Sequence, residues 1–143
     1  MYRAAVADAS HPNVAIVQKA FEALAAGDVA TVLNGYSPEL AYFGADQFGR
    51  FRSFDSRDEF FGMVMEAMVS HSLFENQLVD AYAVGDSLVM AHVRGRREPA
   101  DGGDPLSFDY VMVLRLEEGI VTRATDLIDA SAEQYFSRRP GAD

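Results

Sequence analysis

The order of hydrophobic patterns along this chain predicts an α+β domain. Apolar residues recur at helical spacing as far as Val69, and the period changes to two from Phe74 onward. Gly85-Asp86 and Glu118-Gly119 then divide the period-two region into hairpins. Helices followed by an antiparallel sheet are the pattern of the α+β class. A chain of 143 residues has room for one core. It carries no internal repeat, linker or low-complexity segment, so residues 11–139 are read as one domain behind a flexible tail of residues 1–10.

Pro12 suits the first turn of a helix, where its missing N–H costs nothing. Val14, Val17, Phe21 and Leu24 mark one face of that helix, with Ile16, Ala20 and Ala23 beside it. Gly27 closes it and Asp28 caps the next. Val29, Val32, Leu33 and Tyr36 form the stripe of a second, short helix, which Ser37-Pro38 ends. Glu39 to Phe43 is read as a first strand, and residues 44–55, rich in Gly, Phe and Arg, as an ordered loop. Ser56-Arg57-Asp58-Glu59 is a capping box, and Phe61, Val64, Met65, Met68 and Val69 give the third helix its apolar face. Strands are expected near 74–84, 87–97, 106–116 and 120–128, with Pro99 to Pro105 as a mobile loop. A second capping box, Ser131 to Gln134, opens a C-terminal helix that ends near Arg138.

A hydrophobic content of 49% with 24% charged residues is that of a soluble globular protein. The net charge of −10 argues against nucleic acid and anionic membranes as partners, since both would repel it. No run approaches the ~18 apolar residues of a membrane span. The first ten residues lack the apolar stretch of a secretory signal, so the cytoplasm is the expected location. Zero cysteines exclude disulfides, thiol catalysis and thiolate metal sites. His11, His71 and His92 are too scattered to argue for a metal site. There is no glycine-rich phosphate loop, and no cofactor is expected.

Five segments in their order, VQKAFEALAAGD (17–28), YSPEL (36–40), AYAVGDSLVMAHVRGR (81–96), DYVMVLRLEEGIV (109–121) and TDLID (125–129), resemble the NTF2-like superfamily. Within it the chain is similar to SnoaL-like and ketosteroid-isomerase-like proteins. The resemblance implies a cone in which a curved antiparallel sheet wraps around N-terminal helices and leaves an internal pocket. It also implies a homodimer through the outer face of the sheet. The three residues that serve the ketosteroid isomerases fall on Ala20, Tyr42 and Met112, so none is kept. The SnoaL-type polyketide cyclases pair a histidine with an aspartate fourteen positions later; here those positions are Met112 and Asp126. The Arg-x-Asp pair of the limonene-epoxide-hydrolase type has no counterpart in His92-Val93-Arg94-Gly95-Arg96.

Asp126 is therefore the leading candidate. If the Glu118-Gly119 turn keeps even positions facing even positions, Asp126 shares a face with Phe108, Tyr110, Met112, Leu114 and Ala124. A carboxylate walled in this way is desolvated, which raises its pKa and suits a general acid or base. A register slip of one residue would instead put it on the solvent face. His92, between Met90 and Arg94, is the candidate partner, with a hydrogen-bonded core or interface histidine as the alternative. His71 and His11 are read as surface or capping residues. Tyr42, Phe61, Tyr110 and Met112 are candidate substrate contacts, each equally at home in an ordinary core. Arg94, Arg96 and Arg97, like Arg50, Arg52 and Arg57, are read by default as surface salt-bridging residues, with the orienting of an anionic or carbonyl-bearing substrate as the alternative for one of them, which the pattern does not single out. Gly85-Asp86-Ser87-Leu88 matches a serine-hydrolase motif in letters only, because it lies between two strands and no Asp-x-x-His follows. The expected ligand is a small apolar or polyketide-like carbonyl compound. The chain is then either a cofactor-free isomerase, cyclase or lyase, or a non-catalytic binder on the same fold.

Overall fold

The computed structural model of the chain describes residues 6–138. Two helices, α1 (Pro12–Ala25) and α2 (Val29–Asn34), precede two strands, β1 (Tyr36–Ala45) and β2 (Phe51–Phe54), and a third helix, α3 (Arg57–Val69), follows them. Four long strands follow, β3 (His71–Val84), β4 (Leu88–Pro99), β5 (Leu106–Glu117) and β6 (Ile120–Ile128), and then α4 (Ala130–Ser137). The strands form one open sheet in the order β2-β1-β6-β5-β4-β3, antiparallel except where β1 runs parallel to β6. Register shifts in β3 and between Arg115 and Leu116 are where extra residues bend the sheet. α1 and α3 pack on its concave face, and Val14, Val17, Leu40, Val89, Val93 and Leu114 fill the space between.

Local chemistry accounts for most boundaries. Asp28 caps α2 by accepting from the Thr31 N–H at 3.2 Å, and Ser56 caps α3 by accepting from the Glu59 N–H at 3.4 Å. His11 caps α1 through Nδ1, which accepts from the Asn13 N–H. Glu118 and Gly119 both have positive φ, 50° and 81°, as a two-residue hairpin that follows the strand twist requires.

Several expectations need correction. α2 stops at Asn34, and Tyr36 opens β1 instead of extending the helical stripe. The loop read over 44–55 contains the edge strand β2. The buried residues of α3 are Phe60 and Ala67, while Met65 and Val69 are exposed. The cap of α4 is Asp129, which accepts from the Ala132 N–H at 2.8 Å, so Ser131 lies inside the helix. The end of the expected tail is docked on the sheet. Ala7 N–H donates to Asp80 Oδ1 at 2.6 Å, Ala83 N–H donates to Asp8 Oδ2 at 3.0 Å, and Val6 packs on the core. The rest of that tail, residues 1–5, lies outside the described residues.

Candidate functional site

A cavity of about 170 Å³ lies between the concave face of the sheet and the helices. Phe21, Phe60, Phe61, Met63, Phe108 and Met112 make much of its wall apolar. Its polar groups include Asp126 with Tyr36, Tyr42 and Tyr110, and also Asp46, His71 and Arg97.

Strand register puts Asp126 there. The β5–β6 hairpin pairs Met112 with Asp126, and Met112 in turn pairs with Ala91, which pairs with Ala81. That inward rung is otherwise small or apolar, so the carboxylate has little to solvate it. Tyr42 Oη donates to Asp126 Oδ2 at 2.8 Å. Oδ1 is out of contact with solvent and has no hydrogen-bond partner among the described residues. Desolvation pushes the Asp126 pKa up from 3.8 to about 6, and the Tyr42 hydrogen bond works against that rise. Burial and the nearby Asp126 charge hold the hydroxyls of Tyr36, Tyr42 and Tyr110 well above the usual phenol range. All three remain protonated donors at neutral pH.

Gly44 makes this geometry possible. Two residues beyond Tyr42 on β1, it lies under the folded-back phenol ring. A Cβ at Gly44 would collide with Tyr42 Oη, lie 2.7 Å from Tyr42 Cζ and lie 3.1 Å from Asp126 Cβ. Phe60 from α3 packs on the same ring, 4.3 Å between centroids.

The structure brings Asp126, Tyr42, Phe61, Tyr110 and Met112 to one cavity. His92 is not among them, and its proposed pairing with Asp126 is corrected. Ala91 and Val93 face inward, so His92 between them faces outward, where Nε2 lies 2.9 Å from Asp109 Oδ2. Arg94 Nε donates to the other oxygen of the same carboxylate at 2.9 Å. Arg97, read as a surface group, and His71, read as a surface or capping residue, are both buried at the cavity, and His71 does cap the end of α3. His71 opens β3, and its Nδ1–H donates to the Ala67 carbonyl at 2.6 Å. Arg97 is 7% exposed and stacks 3.7 Å above the Phe74 ring. The alternation Ala91, Val93, Gly95, Arg97 is the signal that would have found it. Asp46, also at the cavity, accepts from the Phe48 and Arg50 N–H groups and pairs with the Arg50 and Arg52 side chains, which fixes the loop between β1 and β2. Among the described residues no cluster of three His, Asp or Glu could hold a metal ion, and no helix is long and apolar enough to cross a membrane.

Comparisons with known proteins agree with this architecture. An NTF2-like protein of unknown function from Burkholderia pseudomallei superposes with a TM-score of 0.76 at 17% identity, over 90% of this chain and 98% of that one. TerC, co-crystallized with polyporic acid, gives 0.75 at 14% identity over 90% and 99%. An LEH-like epoxide hydrolase of M. tuberculosis gives 0.68 at 18% identity over 87% and 88%. At these identities the likeness is one of fold. No curated protein matches the chain. The SnoaL-like domain model matches residues 17–124, from the second turn of α1 into the strand that carries Asp126, and the chain belongs to the SnoaL-like domain family within the NTF2-like fold.

Proposed function

We propose that this protein is a cofactor-free enzyme that moves a proton on a small, mostly apolar, carbonyl-bearing molecule, with Asp126 as general acid and base. One observation carries the reading: a carboxylate oxygen, Oδ1, is buried in an apolar cavity with no partner of its own among the described residues. An unsatisfied buried acceptor is costly, and such groups persist chiefly where chemistry or a ligand uses them. With its pKa near 6 the group is ionised at neutral pH, yet it is a stronger base than an ordinary aspartate. Oδ1 takes a proton from the carbon next to the carbonyl while Tyr42 holds Oδ2. A protonated phenol, Tyr110 or Tyr36, donates to the oxygen on which negative charge develops. Returning the proton to another carbon gives an isomerase; bond closure or cleavage from the enolate gives a cyclase or lyase. Related folds take small ligands, as TerC does with polyporic acid.

A non-catalytic binder is the second reading, and Met112 favours it. An apolar side chain stands directly opposite Asp126, where the related cyclases carry a histidine. Acetophenone in D2O separates the two readings. The enzyme reading expects the protein to accelerate deuterium exchange at the methyl carbon, and Asp126→Asn to abolish that acceleration. Binding of acetophenone without exchange, or a carboxyl titration of Asp126 near 3.8, would establish the binder. The apolar outer face of the sheet supports a homodimer as the working unit in either case.

A further inference from the structure

Besides Asp126 and the ion-paired Asp46, the cavity holds a buried charge that the proton transfer does not use. Arg97 donates from Nη1 to the carbonyls of Glu75 and Arg96, at 2.7 and 3.0 Å, and from Nη2 to Asn76 Oδ1 at 2.8 Å. All three acceptors are neutral. No carboxylate lies within ion-pair distance of it among the described residues, and Nε–H and one Nη2–H have no partner there. A guanidinium removed from water without a counter-charge is costly, and its planar fork matches a carboxylate with two parallel hydrogen bonds. Phe74 and Phe108 fix its plane, at 3.7 and 5.2 Å from ring centroid to guanidinium carbon. Gly95 lets the Phe108 ring and the guanidinium lie close over β4, because a Cβ there would meet the Phe108 ring at 2.7 Å and Arg97 Nη1 at 3.4 Å.

We infer that Arg97 anchors a carboxylate on the ligand, so that the pocket takes a compact carbonyl compound bearing an acid group, about the size of one ring. The size follows from the cavity, since about 170 Å³ is close to the ~150 Å³ in which an engineered apolar cavity holds benzene. Register puts Tyr110 between the two charges along β5, since Leu106 pairs with Arg97 and Met112 with Asp126; the Asp126 carboxylate raises the Tyr110 pKa and the Arg97 cation lowers it. A ligand held at Arg97 thus presents its far side to Tyr110 and Asp126. Desolvation lowers the Arg97 pKa to about 10, which leaves the anchor fully charged at neutral pH. The inference rests on the proposed use of this cavity as a ligand site. It does not rest on the chemistry at Asp126. The competing role for Arg97 is a strut tying β3 to β4, which predicts no preference for anions.

The test compares benzoate with its neutral isostere benzamide by calorimetric titration, with acetophenone alongside. Benzoate is expected to bind about 10- to 100-fold tighter than benzamide, the range of a charge-assisted hydrogen-bonded pair. Arg97→Gln should erase that preference and Arg97→Lys should keep part of it. In the unmutated protein, benzoate should shift the Arg97 Nε–H resonance, a readout that stands even if Arg97→Gln fails to fold. Equal binding of benzoate and benzamide, or an unmoved Nε–H signal, overturns the inference. Acetophenone binding and exchange with no gain for benzoate would remove the anchor and leave the proton-transfer reading intact. Preferential benzoate binding without exchange would do the reverse. Failure of all three ligands to bind would overturn both.

Discussion

A carboxyl group whose folded-state pKa lies near 6, against an ordinary 3.8, weakens the fold whenever it is ionised. Below about pH 4 Asp126 is protonated in both states and costs nothing. Between about 4 and 6 the folded state holds more protons than the unfolded one, so stability falls as pH rises. Above 6 the loss is complete, on the order of 3 kcal/mol at ~1.4 kcal/mol per pH unit. Asp126→Asn is therefore expected to stabilise the protein at pH 8 by about 2–3 kcal/mol, with the advantage fading toward pH 4; urea melts at pH 4, 6 and 8 would read it. Tyr42→Phe acts oppositely to a general loosening of the site. It removes the one hydrogen bond that lowers the Asp126 pKa, so carbon-13 titration of the carboxyl should give a value above that of the unmutated protein. The inward position of Asp126 was legible from the fourteen-residue spacing of the family resemblance and not from the turn: the Glu117–Ile120 pair alone would set Met112 against Thr125, and the register shift between Arg115 and Leu116 brings Asp126 opposite it. The position of His92 was not, because the seven residues from Pro99 to Pro105 leave the parity of β4 against β5 undetermined. Arg97 shares the inward parity of Ala91 and Val93 within its own strand, and it was missed because an arginine grouped with Arg94 and Arg96 reads as a surface charge.

At the level of elements, β1 supplies the residues that hold Asp126 in place. The patterns there were weakest, since β2 is a four-residue edge strand without alternation and the Tyr42-x-Gly44 pair looks like any two residues. Gly44→Ala would drive a methyl group into the Tyr42 phenol. The ring is also packed against Phe60 and Phe54, so a cost of about 1–3 kcal/mol is expected together with loss of the Tyr42–Asp126 bond. A melt measures the first, and the carboxyl titration, again shifted upward, measures the second. The β5–β6 turn offers the opposite sign. Glu118 holds φ of 50°, which costs a side chain of its shape energy that asparagine largely avoids. Glu118→Asn is expected to stabilise the hairpin by about 0.5–1 kcal/mol without moving the Asp126 pKa, since the register it enforces is already present. The boundaries of α1 and α3 were readable from Pro12 and Ser56 because capping is local chemistry. The buried face of α3 was not, because it is apolar nearly all round and only packing on the sheet selects Phe60 and Ala67.

For the whole molecule, the question is what covers the convex side of the sheet. Register aligns Phe43, Thr125, Val113, Met90 and Tyr82 across five strands on that face, with Leu127 and Val111 on the next rung. Phe43, Met90, Tyr82 and Leu127 are each more than 40% exposed, and Phe51 stacks on Phe43 to extend the stripe to the edge. An apolar band that crosses a sheet is a surface that self-association would bury, and a two-fold pair presents the same band from both copies. The charge of −10 on each copy opposes that association, so the apolar contact has to outweigh the repulsion. This gives the test its design. Met90→Lys with Leu127→Lys makes each copy less negative, which on charge alone would favour pairing, yet it puts two cations into the band. If the band is the interface, sedimentation should find twice the 15.7 kDa chain mass for the unmutated protein and the single chain mass for the double variant. The Asp126 carboxyl, which faces the other side of the sheet, should titrate unchanged in both. A monomeric unmutated protein, or a dimer that survives both lysines, would mean that the convex face serves some other contact.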